Sequence, residues 1–148
     1  MKALAIFILL ALLVIGCKPV PEWQPVTFQD VATSSYAPSA DEQFDIMVNS
    51  EADWEGLWIN IFKASRVEVP LENVNFANET VFAAFYGQKM TGGYQVKITG
   101  IEESKSQVRV KITATSPPPG SMVTQSITTP YHIVKTKKIT KPASFLWS

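Results

Sequence analysis

The chain of 148 residues is poor in the residue types from which most catalytic and metal sites are built. It contains one cysteine, Cys17, and one histidine, His132. A single cysteine excludes an internal disulfide, so packing must hold the fold together. A lone histidine with no cysteine or serine motif beside it favours a structural or exposed residue over a triad or zinc ligand. Because phosphate-loop and metal-ligand spacings are also missing from the sequence, we predict no cofactor and no metal.

The chain also lacks an excess of either charge. Its 13 basic and 13 acidic residues cancel, so it has none of the basicity typical of proteins that bind nucleic acid. Hydrophobic residues make up 46% of the sequence, which is enough for one core but, at this length, too little chain for two ordinary domains. We therefore expect a single folded domain and no nucleic-acid partner.

A long apolar run occurs at the amino terminus, where Lys2 precedes the apolar segment Ala3 to Val14. That segment is shorter than the roughly 20 residues of a membrane-spanning helix and is typical of a signal peptide. It ends in Leu-Val-Ile-Gly-Cys, which resembles the bacterial lipobox, whose cysteine becomes the lipidated first residue. We expect a lipoprotein signal peptide at residues 1–16 and a palmitate-type anchor on Cys17. The alternative is an ordinary secretory signal with an unrelated cysteine.

Residues 17–26 are predicted to form an extended, lipidated tether, because three prolines lie between Lys18 and Val26. At about 3.1 Å per residue, this segment could hold the domain roughly 25–30 Å from the bilayer. Trp23 could lie at the lipid interface or pack on the domain. Lys18, rather than an aspartate, follows the cysteine, so in a cell with two membranes we expect the outer one, with the domain facing the periplasm or the exterior.

The globular domain is predicted at residues 27–148, organised around Val81 to Tyr86. This segment is apolar at every position, as expected of a central strand with both sheet faces covered. Gly87, Gly92 and Gly93 then allow a reversal. From Tyr94 to Thr99 the residues alternate, which predicts that the chain turns back into a strand with one wet face.

Further alternating segments predict a mostly antiparallel sheet. Gly100 is expected to mark a bulge or a close backbone approach, and Glu102 to Ser106 a solvated turn. Pro117 to Gly120 must leave the sheet. The predicted strands are Phe28–Tyr36, Gln43–Val48, Gln107–Thr115 and a final strand Tyr131–Val134. The lysines that end it, Lys135, Lys137 and Lys138, are expected to discourage edge-to-edge pairing. The apolar tail Phe145 to Trp147 could fold back on the rest of the domain.

One amphipathic helix is predicted after Ser50, which is a good N-cap, with Glu51 and Asp53 in the first turn. Apolar residues then recur at helical spacing and form a stripe wide enough to cover a sheet. Its members are Trp54, Leu57, Trp58, Ile61 and Phe62. Two tryptophans on one face could also bind a sugar, but a helix with no other apolar face favours a core role. The predicted fold class is therefore α+β, with one helix packed on the sheet.

An enzymatic role would depend on carboxylates, since paired carboxylates can hydrolyse glycosides. The densest group in the first half of the domain is Asp41, Glu42 and Asp45. These residues flank a loop and the start of a strand, where acidic side chains are usually just solvated. We therefore predict that the domain is not an enzyme.

A binding role favours exposed segments whose shape is fixed in advance. Ser116 to Tyr131 meets this requirement, because prolines stiffen both ends and Met122 offers a flexible apolar tip between them. The glycine turn near Gly92 is the second candidate, since bare backbone permits close approach. The predicted partner-binding residues are Thr91, Gly92, Gly93, Tyr94, Pro118, Pro119, Gly120, Met122 and Tyr131. Both segments could instead be ordinary connections.

Several of these features together resemble the PrcB C-terminal domain family, across about residues 50 to 138. They are Trp54 with Leu57-Trp58 on a capped helix, the Pro70–Phe76 connection, Gly87, Thr91-Gly92-Gly93-Tyr94, Pro119-Gly120 and Pro130-Tyr131. The family takes its name from a lipoprotein subunit of a bacterial surface-protease complex. The resemblance implies an exported α+β domain, and a secreted or surface protease as one candidate partner.

The predicted function is that of a non-catalytic, membrane-anchored lipoprotein of the cell envelope that binds or stabilises another envelope protein. Its partners are then the lipid bilayer, through acylated Cys17, and a protein such as a protease. Two alternatives remain, a carboxylate-based envelope hydrolase and a small ligand-binding lipoprotein.

Overall fold

A computed structural model describes residues 22–63, 65 and 70–148. The signal peptide, the lipid site Cys17 and the first part of the tether lie outside the described residues. Within the described residues the elements are one α-helix, α1 (Glu51–Phe62), and eight strands. The strands are β1 (Gln24–Pro25), β2 (Phe28–Ser34), β3 (Gln43–Val48), β4 (Glu79–Tyr86), β5 (Gln95–Glu103), β6 (Val108–Thr115), β7 (Tyr131–Lys137) and β8 (Ala143–Trp147). The predicted α+β class is confirmed.

The strands form two sheets of four strands each. The outer sheet has the order β1-β5-β6-β8, and the central sheet has the order β2-β7-β4-β3. All pairings are antiparallel except that β8 runs parallel to β6. The sequence predicted the antiparallel character but did not divide the strands between two sheets.

The central sheet is the middle layer of three, with α1 on one side and the outer sheet on the other. Strand β4 alternates between the two cores that result. Phe82 and Ala84 pack toward the outer sheet, whereas Ala83 and Phe85 pack toward the helix. All four are fully buried. The prediction of a central strand covered on both faces is therefore correct. The outer sheet covers one face and α1 covers the other.

Helix α1 forms where the sequence predicts it, and its cap has the expected geometry. Ser50 has extended backbone, and its hydroxyl oxygen accepts from the Asp53 backbone N–H at 3.2 Å. Trp54, Trp58 and Ile61 are buried against the central sheet. The tryptophans are therefore core residues, as the spacing predicted.

The reversal after β4 leads into a different sheet from the one the sequence suggested. Strand β5 begins at Gln95 but pairs with β1 and β6, not with β4. The alternation itself is correct, because Val96 and Ile98 are buried while Lys97 is exposed. The register of β5 and β6 shifts between Ile98 and Gly100, as expected for a bulge.

The lysines at the end of β7 do not protect an edge, because β7 lies between β2 and β4. Nor is β7 the last strand, since the apolar tail forms β8 and pairs with β6. Lys135 instead pairs with Glu79 at 3.0 Å, and Lys137 pairs with Glu103. The edge interpretation of these lysines was therefore wrong, because it assumed that β7 ends the sheet.

The folded domain begins before the predicted boundary at residue 27. Gln24 and Pro25 pair with Glu103 and Glu102 of β5. Val26 is 7% exposed, and its N–H donates to the Ile101 carbonyl oxygen at 2.8 Å. The Arg109 guanidinium carbon lies 4.1 Å from the centroid of the Trp23 ring, so residues 23–26 belong to the domain rather than to a free tether.

Candidate functional site

Two loops that the sequence singled out lie side by side. The first loop, residues 87–94, connects β4 to β5, and the second loop, residues 116–130, connects β6 to β7. Lys89 and Thr128 exchange backbone hydrogen bonds of 2.7 and 2.9 Å. Gly92 N–H also donates to the Thr124 carbonyl oxygen at 2.9 Å, and the Thr128 hydroxyl donates to the Thr91 carbonyl oxygen at 2.9 Å. The fold therefore joins the two predicted segments into one surface.

The glycines of the first loop are required by this close packing. A Cβ on Gly92 would lie 2.2 Å from Thr124 Oγ1, and one on Gly93 would lie 2.9 Å from Pro117 Cβ. Gly93 also has a φ of 90°, which L side chains resist. Both observations indicate that the loops are held in one arrangement by backbone contact.

Three large apolar side chains of these loops project into solvent. Met122 is fully exposed at 102%, Met90 is 71% exposed and Ile127 is 50% exposed. Pro118 and Pro119 are exposed beside Met122, where the Ser121 N–H donates to the Pro118 carbonyl oxygen at 3.1 Å and closes a turn. We call these five residues, Met90, Pro118, Pro119, Met122 and Ile127, the tip surface. Such a surface combines flexible apolar contacts with a stiff backbone.

A positive charge lies next to the tip surface. The Lys89 Nζ atom is 3.8 Å from the centroid of the Tyr86 ring and 5.8 Å from that of Tyr94. The Tyr86 ring also contacts Trp147, with centroids 6.3 Å apart. An ammonium held over aromatic faces has a restricted position, so Lys89, the neighbour of Met90 in the chain, carries a cation fixed over Tyr86 and Tyr94.

Eight of the nine predicted partner-binding residues lie in the loops. Pro118, Pro119, Gly120 and Met122 are exposed at the tip, whereas Thr91, Gly92 and Gly93 hold the two loops together, and Tyr94 is half-buried against Tyr86. Tyr131 is a correction. It is 6% exposed and packs against Phe85 and Phe62 in the helix-side core. Its burial raises the pKa of the hydroxyl and removes it from any contact surface.

The sequence did not indicate Met90, Ile127 or Lys89. Met90 and Ile127 are single apolar residues in polar segments, and nothing in the local pattern distinguishes them from residues that fold inward. Their exposure depends on the pairing of Lys89 with Thr128, which are far apart in the chain. A methionine beside a glycine turn is the one signal that was present for Met90.

His132 occupies a buried position between the two sheets. It is 2% exposed. The Ile98 N–H donates to its Nδ1 at 2.9 Å, so in the neutral ring the hydrogen is on Nε2, which donates to Asp30 Oδ1 at 3.1 Å. Burial lowers the pKa of His132, and the Asp30 carboxylate partly opposes this effect. His132 is thus a structural residue that joins β7 to β5.

The carboxylates that an enzyme would need are occupied or solvated. Asp45 accepts a hydrogen bond of 2.7 Å from Trp147 Nε1, while Asp41 and Glu42 are exposed. Within residues 22–63, 65 and 70–148, no group of three or more histidine, cysteine, aspartate or glutamate side chains is arranged to hold a metal ion.

Fold and site together define a small α+β domain of three layers that carries a rigid loop surface at one end. The family model described as PrcB C-terminal matches residues 80–137, from β4 to the end of β7. This confirms the predicted resemblance for that part of the chain; the helix and residues 50–79 lie outside the match. No curated protein and no solved structure matches the chain.

The matched segment contains both loops and therefore all five residues of the tip surface. Its name points only to an association with a protease complex. Among the described residues, no helix combines the length and the apolar character needed to cross a membrane.

Proposed function

We propose that this protein is a non-catalytic lipoprotein of the bacterial envelope whose domain binds another protein through the tip surface. The observation that carries the proposal is the pairing of the two loops, which leaves Met90, Met122 and Ile127 exposed on a cross-bridged backbone. Ordering a loose loop subtracts from affinity, whereas a rigid loop has already lost that freedom. Large apolar side chains on such a support are typical of a protein contact.

The direction of the tip surface supports a protein partner rather than the bilayer. The amino-terminal chain reaches the domain through β1, which pairs with Glu102 and Glu103 at the end of β5. The two loops adjoin the opposite end, at Gln95 and its partner Thr115. Nine strand residues separate these ends by about 26 Å. If Cys17 anchors the chain to a membrane, the tip surface points away from it.

The match to the PrcB C-terminal family supports a protease as the candidate partner. In this proposal the domain positions or stabilises a secreted or surface protease and takes no part in its chemistry. The engagement of Asp45 by Trp147 supports the non-catalytic assignment over a carboxylate-based hydrolase.

The test is crosslinking in cells followed by capture of the domain from the membrane fraction. Replacing Met122 with Asp and Pro118-Pro119 with Ala-Ala should weaken capture of the partner at least about tenfold, or 1.4 kcal/mol. The melting temperature should barely change, because these side chains are exposed. Full capture by this variant would exclude the tip surface as the contact site.

Two controls complete the test. Ile59→Asp changes a residue that is 64% exposed on the helix, far from the loops in sequence, and should retain capture. Cys17→Ser should abolish palmitate labelling and release the chain from the membrane fraction. Unchanged membrane partition of Cys17→Ser would contradict the lipid anchor, whatever the tip variants do.

A further inference from the structure

A cluster of lysines lies at the end of the domain where the amino-terminal chain enters. Four lysines fall between residues 135 and 141, and a fifth, Lys105, is exposed in the turn between β5 and β6. Because β7 is an inner strand, edge protection does not explain them. We call Lys105, Lys135, Lys137, Lys138 and Lys141 the lysine end.

Strand pairing places the lysine end next to the entry of the chain. Gln24 pairs with Glu103, and that same glutamate binds Lys137 and, at 3.1 Å, Lys141. An open cleft of about 420 Å³ adjoins them. It is lined on one side by Thr27 and Phe28, where the chain leaves β1, and on the other by lysines 135 and 137.

The glutamates at this end cancel only part of the positive charge. Among the described residues, Glu79 pairs with Lys135 alone, at 3.0 Å, and neutralises it. Glu103 binds two lysines, and Glu102 binds Arg109 at 2.7 Å and Lys111 at 2.6 Å. These hydrogen bonds lower the pKa of both glutamates, so the carboxylates stay ionised and each group of three carries one net positive charge. Lys105 forms no ion pair with a described residue.

The docking of β1 also shortens the distance to the membrane. Residues 23–26 are held on the domain, so from Cys17 to Trp23 only six residue steps remain. At 3.3–3.6 Å per residue these steps span at most about 22 Å. The Debye length at physiological salt is about 8 Å, so this short connection can bring the lysine end within electrostatic range of the headgroups.

We propose that the lysine end binds the phosphate groups of anionic lipid headgroups and holds the domain upright, with the tip surface directed outward. The proposal rests on the lipid anchor of the proposed function, which brings this end to the bilayer. Clusters of lysine next to a membrane anchor are attracted to anionic lipid in the same way. Binding at this end would leave the tip surface free for its partner.

The experiment uses the chain from residue 17 onward with Cys17→Ser, which retains every described residue and has no acyl chain. Its sedimentation is measured with phosphatidylcholine vesicles, with and without phosphatidylglycerol. We expect binding only to the anionic vesicles, and its loss near 1 M salt, where the Debye length falls to about 3 Å. Equal binding to both kinds of vesicle would overturn the proposal.

A charge-matched pair of variants locates the binding surface. Lys105→Gln, Lys137→Gln and Lys141→Gln together should reduce vesicle binding at least about tenfold. The control triple Lys63→Gln, Lys89→Gln and Lys97→Gln removes the same charge elsewhere and should retain most of it. Equal losses in the two triples would show an effect of net charge only. If the first triple unfolds, Lys105→Glu alone tests the same point without breaking a described ion pair.

A last experiment distinguishes lipid headgroups from free phosphate as the ligand of the lysine end. The vesicle assay also tests this proposal independently of the proposed protein contact. Inorganic phosphate at millimolar concentration should not displace the chain from vesicles, because the bilayer presents many headgroups at once; displacement would indicate a site for a free anion instead. The vesicle assay contains no protein partner. A failure here therefore leaves the tip surface untouched, and a failure of partner capture leaves the vesicle result standing.

Discussion

The central sheet has a core on each face, and the two cores are built from different side chains. The helix-side core is aromatic, with Trp54, Trp58 and Phe85 among its buried members. The inter-sheet core is mostly aliphatic, with Ile98, Val110 and similar residues facing one another. One helix of 12 residues is about 18 Å long but only about 10 Å wide, and four strands span more than that. Large aromatic rings widen the area of the central sheet that the narrow helix can cover. The two sheets already have similar widths, so smaller side chains fill the space between them.

The difference teaches that each core depends on a different kind of contact. The helix-side core is held by rings that touch in series, with centroid distances of 5.1 Å for Trp54 and Trp58 and 4.6 Å for Trp58 and Phe62. The inter-sheet core is held by many smaller side chains and by polar links between the sheets, of which the buried one runs through His132. We therefore expect the helix-side core to lose much of its stability when one ring is removed, and the stability of the inter-sheet core to depend on pH.

The largest expected effect is that of Trp58→Ala. Trp58 is 6% exposed and lies between two other rings, so its loss leaves a cavity that neighbouring side chains cannot fill. The free energy of unfolding should fall by about 3–5 kcal/mol, measured by urea denaturation. The neighbouring substitution Ile59→Ala, at a residue 64% exposed, should cost far less. Equal effects of the two would show that the aromatic series does not support the helix.

A smaller effect is expected from titration of His132. Its pKa lies below the usual 6.5 because of burial, so as the pH falls below about 6.5 the unfolded chain takes up a proton that the folded chain refuses. The contribution of neutral His132 to the free energy of unfolding is thus fully present above that pH. It is lost as the pH falls toward the folded pKa, by at most about 1.4 kcal/mol per pH unit. Asp30 opposes this shift and Lys97 adds to it.

The matched variant for this prediction is His132→Gln, whose amide can accept and donate but does not titrate. Urea denaturation at pH 7 and pH 5.5 should show a smaller loss for this variant than for the parent. The glutamates Glu79, Glu102 and Glu103 have a lowered pKa, so their contribution is lost only below pH 4.5. An unchanged pH dependence in the variant would mean that titration of His132 does not cause the loss of stability between pH 7 and pH 5.5.

The smallest expected effect has the opposite sign. Gly56 lies within α1, and a Cβ added there meets no atom within 4 Å. Gly56→Ala should stabilise the protein by about 0.5–1 kcal/mol, because alanine loses less backbone entropy in a helix. Gly93→Ala is the matched control, since Pro117 Cβ would be 2.9 Å away at a positive φ, and it should destabilise. If Gly56→Ala lost stability as well, the backbone entropy of the helix would not limit the stability of the helix-side core.

By itself the sequence determined the local elements. The helix and its Ser50 cap, the doubly buried strand at Val81, the alternation of β5 and the bulge at Gly100 are all correct. Each depends on residues close together in the chain, where backbone geometry fixes a period of 3.6 or 2. For the candidate site, the sequence found the two loops and Met122 for the same reason, since proline and glycine restrict the backbone locally.

Only the tertiary structure decided how these elements associate. The period of a strand does not name its neighbour, so the separation of β5 from β4, the parallel β8 and the inner position of β7 could not be read from the pattern. That inner position overturned the interpretation of the lysines and, with the packing of α1, buried Tyr131. The tip surface likewise required Lys89 and Thr128 to meet. Contacts between distant residues are selected by the burial of whole faces, which no local stretch of sequence specifies.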